Sequence, residues 1–167
     1  MSMASQFKLT CVLLILLALV SACTSKPSQE EFNKIAIKDF ALQSNNYTRE
    51  NDNLFRRNDM DWKRFTFLVV GEIEVNDDEM FPYRGTVYNI DYCSGNLSKV
   101  DSLAGKLTKM NQNKLYNECK EKNSSHSQTF LGESFGSAHC GEVNGSLNVI
   151  SVPYVWGKKS KTWKHLN

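Results

Sequence analysis

The chain has 167 residues, of which 20 are Lys or Arg and 18 are Asp or Glu, so its charges nearly balance. This balance argues against a nucleic-acid partner, since proteins that bind the phosphate backbone usually carry a strong basic excess. The length accommodates one ordinary domain and a short additional segment.

The chain begins with a short apolar segment that is typical of a secretory signal. Lys8 precedes residues 9–20, which carry no charge, and small residues follow as far as Cys23. A membrane-spanning helix needs roughly 20 apolar residues, so this run is too short for a span and fits the apolar part of a signal peptide. We therefore predict that residues 1–22 direct export and are removed.

The end of this segment, Val20-Ser21-Ala22-Cys23, resembles the lipobox of bacterial lipoproteins. The resemblance covers only the leader. It implies cleavage before Cys23, a diacylated Cys23 thiol and a third acyl chain on the new amino group. Two or more acyl chains hold a protein stably on a bilayer, where one chain does not. Thr24, rather than Asp, follows the cysteine, which resembles the pattern of lipoproteins sorted to the outer membrane and facing the periplasm. The alternative is an ordinary signal cleaved near Ala22.

The part of the chain after residue 22 would contain 167 minus 22, or 145, residues. Because the leader contains only one charged residue, Lys8, 19 basic and 18 acidic residues would remain. We predict a lipid-anchored tether over residues 23–28 and a single domain over residues 29–167. No motif in this domain indicates a cofactor or a metal site.

The first predicted element of the domain is a helix over residues 29–43. Ser28 and Glu31 have the spacing of a capping box, and apolar residues follow on one helical face. Residues 44–61, rich in Asn, Asp and Arg, are predicted to be a loop. Alternation over residues 64–75 predicts a strand. Its core-facing set would be Phe65, Phe67, Val69, Gly71, Ile73 and Val75.

The next predicted strand covers residues 85–92 and forms a long-looped hairpin with the first. A helical pattern then extends over residues 99–121, and the run Asn111-Gln112-Asn113 is a point where this helix could fold back. Residues 129–143 and 147–156 are predicted to be strands joined by Asn144-Gly145, a strong signal for a two-residue turn.

The order of these elements is helix, two strands, helix, two strands. This order predicts an α+β fold with a mostly antiparallel four-stranded sheet and with helices packed on one face.

Three cysteines remain once the leader and the anchor are set aside: Cys93, Cys119 and Cys140. Disulfides persist in the periplasm, and three cysteines allow one bond and one spare thiol. A helix of about 20 residues is about 30 Å long, so it would place Cys119 at the end of the sheet opposite Cys93. The next strand would return Cys140. We predict a Cys93–Cys140 bond; a fold-back at Asn111 would instead allow a bond to Cys119.

A second interpretation of Cys93 is catalytic. Asp91-Tyr92-Cys93-Ser94-Gly95 resembles the Asp-Cys-Ser-Gly signature of the NlpC-type peptidoglycan peptidases. The resemblance implies a Cys93 nucleophile with His126 or His139 as its base. The chain departs from the family in the inserted Tyr92 and in the missing Gly-Asp-aromatic strand downstream.

Four aromatic residues, two in a loop and two near lysines, are the predicted partner contacts. Phe81 and Tyr83 precede the second strand, while Trp156 and Trp163 flank a lysine-rich run near the end of the chain. Aromatic side chains tend to dominate protein interfaces.

These features favour a non-catalytic protein-binding module, held on the lipid bilayer through acylated Cys23. Its partner would be a periplasmic protein, and the chain would act as an inhibitor or immunity protein against a toxin or hydrolase of the envelope. One alternative is a structural or assembly lipoprotein that binds peptidoglycan or an outer-membrane partner. The other is the cysteine peptidase.

Overall fold

A computed structural model describes residues 26–57, 63–125, 127–136 and 139–166. The predicted leader and Cys23 lie outside the described residues. Along the described chain one helix is followed by five strands, two helices and four strands, and several bounds differ from the predicted ones.

Three helices lie in the described residues: α1 at Gln29–Gln43, α2 at Leu97–Lys109 and α3 at Gln112–Ser125. The predicted helix over residues 29–43 is confirmed. The Ser28 hydroxyl oxygen accepts a hydrogen bond from the Glu31 amide at 3.0 Å, so the serine caps α1 as expected.

The strands are β1 (Tyr47–Arg49), β2 (Leu54–Arg57), β3 (Lys63–Val70), β4 (Glu74–Val75), β5 (Tyr83–Ser94), β6 (Thr129–Phe130), β7 (Glu133–Ser134), β8 (Ser146–Gly157) and β9 (Thr162–His165). Seven of them form one antiparallel sheet in the order β1-β2-β3-β5-β8-β9, in which β4 continues β3 alongside β5. The α+β class and the antiparallel sheet are confirmed. The predicted number of four strands is wrong.

The helices cover both faces of the sheet, and the prediction of one covered face is wrong. Phe65, Phe67 and Val69 of β3 pack with α2 and α3, whereas Leu68 packs with Phe32 of α1 on the other face. The β3 residues from 65 to 69 are at most 2% exposed. A strand buried on both sides needs a cover on each face.

Residues 47–57, predicted to be loop, form the β1–β2 hairpin instead. Leu54 and Phe55 are 4% and 2% exposed and pair with Phe67 and Thr66 of β3. Only two consecutive apolar residues mark β2 in the sequence, so its burial comes from pairing with β3 rather than from a periodic pattern.

The predicted strand over residues 64–75 is interrupted by a β-bulge. Val70 pairs with Val87, and Glu74 pairs with Arg84. Three residues on the β3–β4 side therefore face two on β5. One extra residue on one strand defines a bulge, which bends that strand and changes the direction of its side chains.

The bulge consists of Glu72 and Ile73, which face Gly85, because Gly71 still donates its amide to Thr86 O at 2.8 Å. As a result Ile73 packs on the α1 face. Val75 is 78% exposed. The prediction that both residues share the face of Phe65 is therefore wrong.

The long predicted helix over residues 99–121 is two helices. Asn111 accepts hydrogen bonds on Oδ1 from the amides of Asn113 and Lys114, at 3.0 and 3.3 Å, and so starts α3. α3 carries Cys119 into the core between the helices and the sheet.

The predicted strand over residues 129–143 is not formed. Its first part is the short β6–β7 hairpin, and a turn with a hydrogen bond from Gly145 N to Glu142 O precedes β8. Gly132, Gly136 and Gly141 interrupt this segment, and glycines weaken a strand interior.

Candidate functional site

Cys93, at the end of β5, is joined to Cys140 by a disulfide, and the predicted pairing is confirmed. β8 begins at Ser146, directly opposite Cys93, so the preceding turn lies beside β5 and the two Cα atoms of the cystine are 5.0 Å apart. A sulfur in a disulfide is not a thiolate, so Cys93 offers no nucleophile while the bond persists. His139 is exposed, and His126 lies outside the described residues.

Cys119 is the free cysteine, and it is fully buried. Burial raises the pKa of its thiol to about 12, so it remains protonated at neutral pH and packs as a small apolar group. Within the described part of the chain, His, Cys, Asp and Glu side chains do not gather in groups of three that could hold a metal ion.

Two charged residues, Asp91 and Arg64, lie near the disulfide. The Thr66 hydroxyl donates a hydrogen bond to the Asp91 carboxylate, and Nη2 of Arg64 lies 3.3 Å from Sγ of Cys140. Burial raises the pKa of Asp91, although Thr66 and Arg64 act in the opposite direction. The hydrogen bond from Thr66 and the positive charge of Arg64 stabilise this largely buried carboxylate within the fold.

The predicted contact residues divide into two groups. Trp156 and Trp163 are only 8% and 6% exposed, so the prediction that they form a contact surface is wrong. They face each other on β8 and β9, and Trp163 stacks 4.4 Å from Phe32 between ring centres. Phe81 and Tyr83 are half-buried in and after the β4–β5 turn, and their role in binding stays a prediction.

A cleft of about 870 Å³ lies beside the bulge, at the edge of the sheet. Its walls are one side of α1 from residue 29 to 41, the β1–β2 turn at residues 49–53 and the first turn of α3. Its floor is the backbone of residues 70–72. We call this the edge cleft. Its volume is within the range of sites that bind small molecules.

Side-chain amides satisfy the sheet edge at both ends of the cleft floor. Leu68 donates its amide to Asn53 O at 2.8 Å, and Asn53 Nδ2 donates to Leu68 O at 2.7 Å. Further along, Gln29 Nε2 donates to Gly71 O at 2.9 Å, and Gln29 Oε1 accepts from the Ile73 amide at 3.2 Å. Gln29 thus makes the two hydrogen bonds that a neighbouring peptide group would make.

Val70 lies between these two satisfied positions. Backbone groups alternate along a strand, so its N–H and C=O point to the same side as those of Leu68, away from β5. β2 pairs with β3 only as far as Phe67, and Asn53 reaches Leu68. In the ranges that the structure describes, the outward N–H and C=O of Val70 have no hydrogen-bond partner.

Two glycines allow the helices to approach this edge closely. A Cβ on Gly71 would lie 2.3 Å from Cε2 of Tyr116 on α3, and one on Gly85 would lie 2.2 Å from Cζ of Phe32 on α1. Both rings therefore rest directly on the backbone of the sheet. This contact sets the position of the two helices that enclose the edge.

The charges of the edge cleft are partly paired. Two ion pairs line it, with N···O distances of 2.6 and 2.9 Å: Lys34–Glu30 and Arg49–Asp52. Lys38 on α1 and Glu72 in the bulge also line the cleft, and neither forms an ion pair with another described residue. The cleft therefore offers one cationic and one anionic group to a ligand.

The edge cleft combines open backbone hydrogen-bonding groups with charged and apolar side chains, which suits binding of a polypeptide. None of its residues was a predicted contact. The signal in the sequence is Gly71, because a glycine inside an alternating pattern indicates a bulge or a close backbone approach.

Each of the described helices is too short or too polar to cross a bilayer. No protein-family model matches the chain, and neither a curated protein nor a solved structure is significantly similar to it.

Proposed function

We propose that this chain is a lipid-anchored protein of a bacterial envelope that binds a partner protein without catalysing a reaction. The observation that carries the binding role is the edge cleft, in which a sheet edge lies open between α1 and α3. Supporting it, the cysteine of the peptidase alternative is held in a disulfide.

The partner is a toxin or hydrolase that reaches the periplasm, and the chain acts as its inhibitor or immunity protein. Interfaces of standard size bury roughly 800 Å² on each partner. The edge cleft offers a surface for such a contact, and the β4–β5 turn adds exposed Met80 and part of Phe81.

The anchor is acylated Cys23, and the outer membrane is the proposed location, with the domain facing the periplasm. Cys23 precedes Ser28, the cap of α1, by five residues. An extended segment of that length spans at most about 18 Å. The domain would therefore work within a short distance of the bilayer surface.

Lipidation has a direct test. Cells grown with an alkyne fatty acid are expected to label the wild-type protein and not the Cys23→Ser variant, because the acyl chains attach at this cysteine. The readout is in-gel fluorescence after click coupling, with Cys119→Ala as a control that keeps the leader intact. Equal labelling of wild type and Cys23→Ser would contradict the anchor.

Partner binding is tested by capture with the mature chain carrying Cys23→Ser. Bound proteins from envelope and secreted fractions are quantified by mass spectrometry. Ala41→Trp fills the edge cleft and is expected to reduce capture at least about tenfold, since interface energy concentrates at few positions. Leu42→Trp is the matched control, because Leu42 is 67% exposed and does not line the cleft.

Other outcomes of this experiment separate the remaining interpretations. Full capture by Ala41→Trp with loss in Phe81→Ala would move the contact to the β4–β5 turn. Capture of peptidoglycan or of an outer-membrane protein would favour the assembly role. In a separate incubation with peptidoglycan or lipid, turnover that disappears in His139→Ala would contradict the non-catalytic function.

A further inference from the structure

The hydrogen-bonding pattern of the edge cleft indicates how a partner would bind, an inference that rests on the proposed function. We propose that the partner presents an extended segment that pairs with Val70 as an added β-strand, in line with β2, and directs an acidic side chain towards Lys38.

The first argument is the interruption of the sheet. β2 pairs with β3 through Phe67, and Asn53 adds hydrogen bonds at Leu68 before the chain turns away. The place next to Val70 is therefore the next position of the same ladder. An extended peptide there gains main-chain hydrogen bonds, which are the source of affinity in strand addition.

The second argument is that this edge already binds amides. Asn53 Nδ2 bonds to Leu68 O, and the carboxamide of Gln29 bonds to Gly71 O and the Ile73 amide. The Asn53 side chain makes one of the two hydrogen bonds that a peptide group would make, and the Gln29 side chain makes both. Val70 lies between these positions, and its N–H and C=O point to the same side as those of Leu68, so the ligand that fits it is also an amide.

The third argument concerns side chains. Successive residues of an added strand point to opposite faces of the sheet. On one face they would meet α1, where Ile37 and Ala41 give an apolar wall. On the other they would meet α3, where Asn113 and Tyr116 line a smaller hollow of about 300 Å³ beside the same floor. The two hollows share residues 70–72, so one strand reaches both.

The charge preference follows from Lys38. The other cations of the cleft, Lys34 and Arg49, are bound to Glu30 and Asp52. Lys38 lines the α1 wall without an ion pair among the described residues, whereas the unpaired anion of the cleft, Glu72, lies in the floor rather than on that wall. A segment with Asp or Glu facing α1 would pair with it, whereas a basic residue at that place would be repelled.

The test uses random eight-residue peptides displayed on phage and the mature chain with Cys23→Ser. The library is first depleted on the Ala41→Trp variant and then selected on the parent chain. Enriched sequences are synthesised, and their binding is followed by NMR. We expect enriched acidic peptides, at least about tenfold slower hydrogen exchange of the Val70 amide when they bind, and weaker binding by Lys38→Glu.

Methylation of the peptide backbone separates strand addition from side-chain binding. In a strand, every second amide faces the neighbouring strand. N-methylation of one alternate set is therefore expected to abolish binding, while methylation of the other set is tolerated. Equal effects of the two sets, an unprotected Val70 amide, or no enrichment over Ala41→Trp would each overturn the proposal. Self-association of the chain through Val70 without peptide would overturn it in favour of a second copy as the occupant.

These outcomes are distinct from failure of the proposed function. If an envelope protein is captured through the cleft but Val70 stays unprotected in its presence, the function stands and strand addition is wrong. If peptides protect Val70 but no envelope or secreted protein is captured, strand addition stands and the proposed function is wrong.

Discussion

Phe32→Ala is expected to lower the free energy of unfolding by roughly 3–5 kcal/mol, the usual cost of removing a buried aromatic ring. Phe32 is fully buried, and its ring centre lies 4.4 Å from that of Trp163 and 5.5 Å from that of Tyr154. The ring also rests on Gly85. Because these neighbours belong to the sheet, they cannot collapse fully into the cavity.

The measurement is chemical unfolding at equilibrium, with Leu42→Ala as the control on the same helix. Leu42 is 67% exposed, so its loss is expected to change stability by no more than about 0.5 kcal/mol. A Phe32→Ala cost below about 1 kcal/mol would contradict the view that this ring holds α1 on the sheet. Since α1 forms one wall of the edge cleft, Phe32→Ala is also expected to weaken partner capture while the chain is still folded.

The parts of the fold that could be predicted from the sequence are those with strong local signals. The cap at Ser28 and the helical face behind it determine α1, and alternation identifies most of β3 and β5. The prediction of the Cys93–Cys140 bond rests on two premises that the structure contradicts, since the helix over residues 99–121 is two helices and the strand over residues 129–143 is not formed. The bond depends only on the return of the chain to the end of β5, which β8 provides.

The parts that could not be predicted depend on tertiary contacts. β2 has two apolar residues, and β9 has a single buried side chain, Trp163, so neither has a periodic pattern long enough to detect. The second covered face of the sheet depends on the contact of α1 with Leu68 of β3, which joins distant parts of the chain. The edge cleft arises from three separate events: the turn after Asn53, the bulge after Gly71 and the break between α2 and α3.

Cys140→Ser is expected to lower the free energy of unfolding by about 4 kcal/mol in the chain-entropy model, since the bond closes a loop between residues 47 apart in sequence. For a domain of this size that corresponds to a melting temperature lower by roughly 8–16 °C. The bond also holds the turn before β8 in place, because Cys93 pairs with Ser146, the first residue of β8. Loss of the bond therefore frees this turn as well. The half-buried sulfur of Cys140 also accepts the contact from Arg64.

The control for this prediction is the wild-type chain in dithiothreitol, which should unfold at nearly the same temperature as Cys140→Ser. Cys119→Ala tests the alternative pairing: its thiol is free, so it should retain the disulfide in non-reducing peptide maps and show only the small cost of a lost core atom. A melting temperature of Cys140→Ser equal to that of oxidised wild type would mean that the bond does not constrain the unfolded chain. Because the edge cleft lies at residues 70–72, away from the cystine at the last residues of β5, Cys140→Ser should lower stability far more than it weakens capture by the folded fraction.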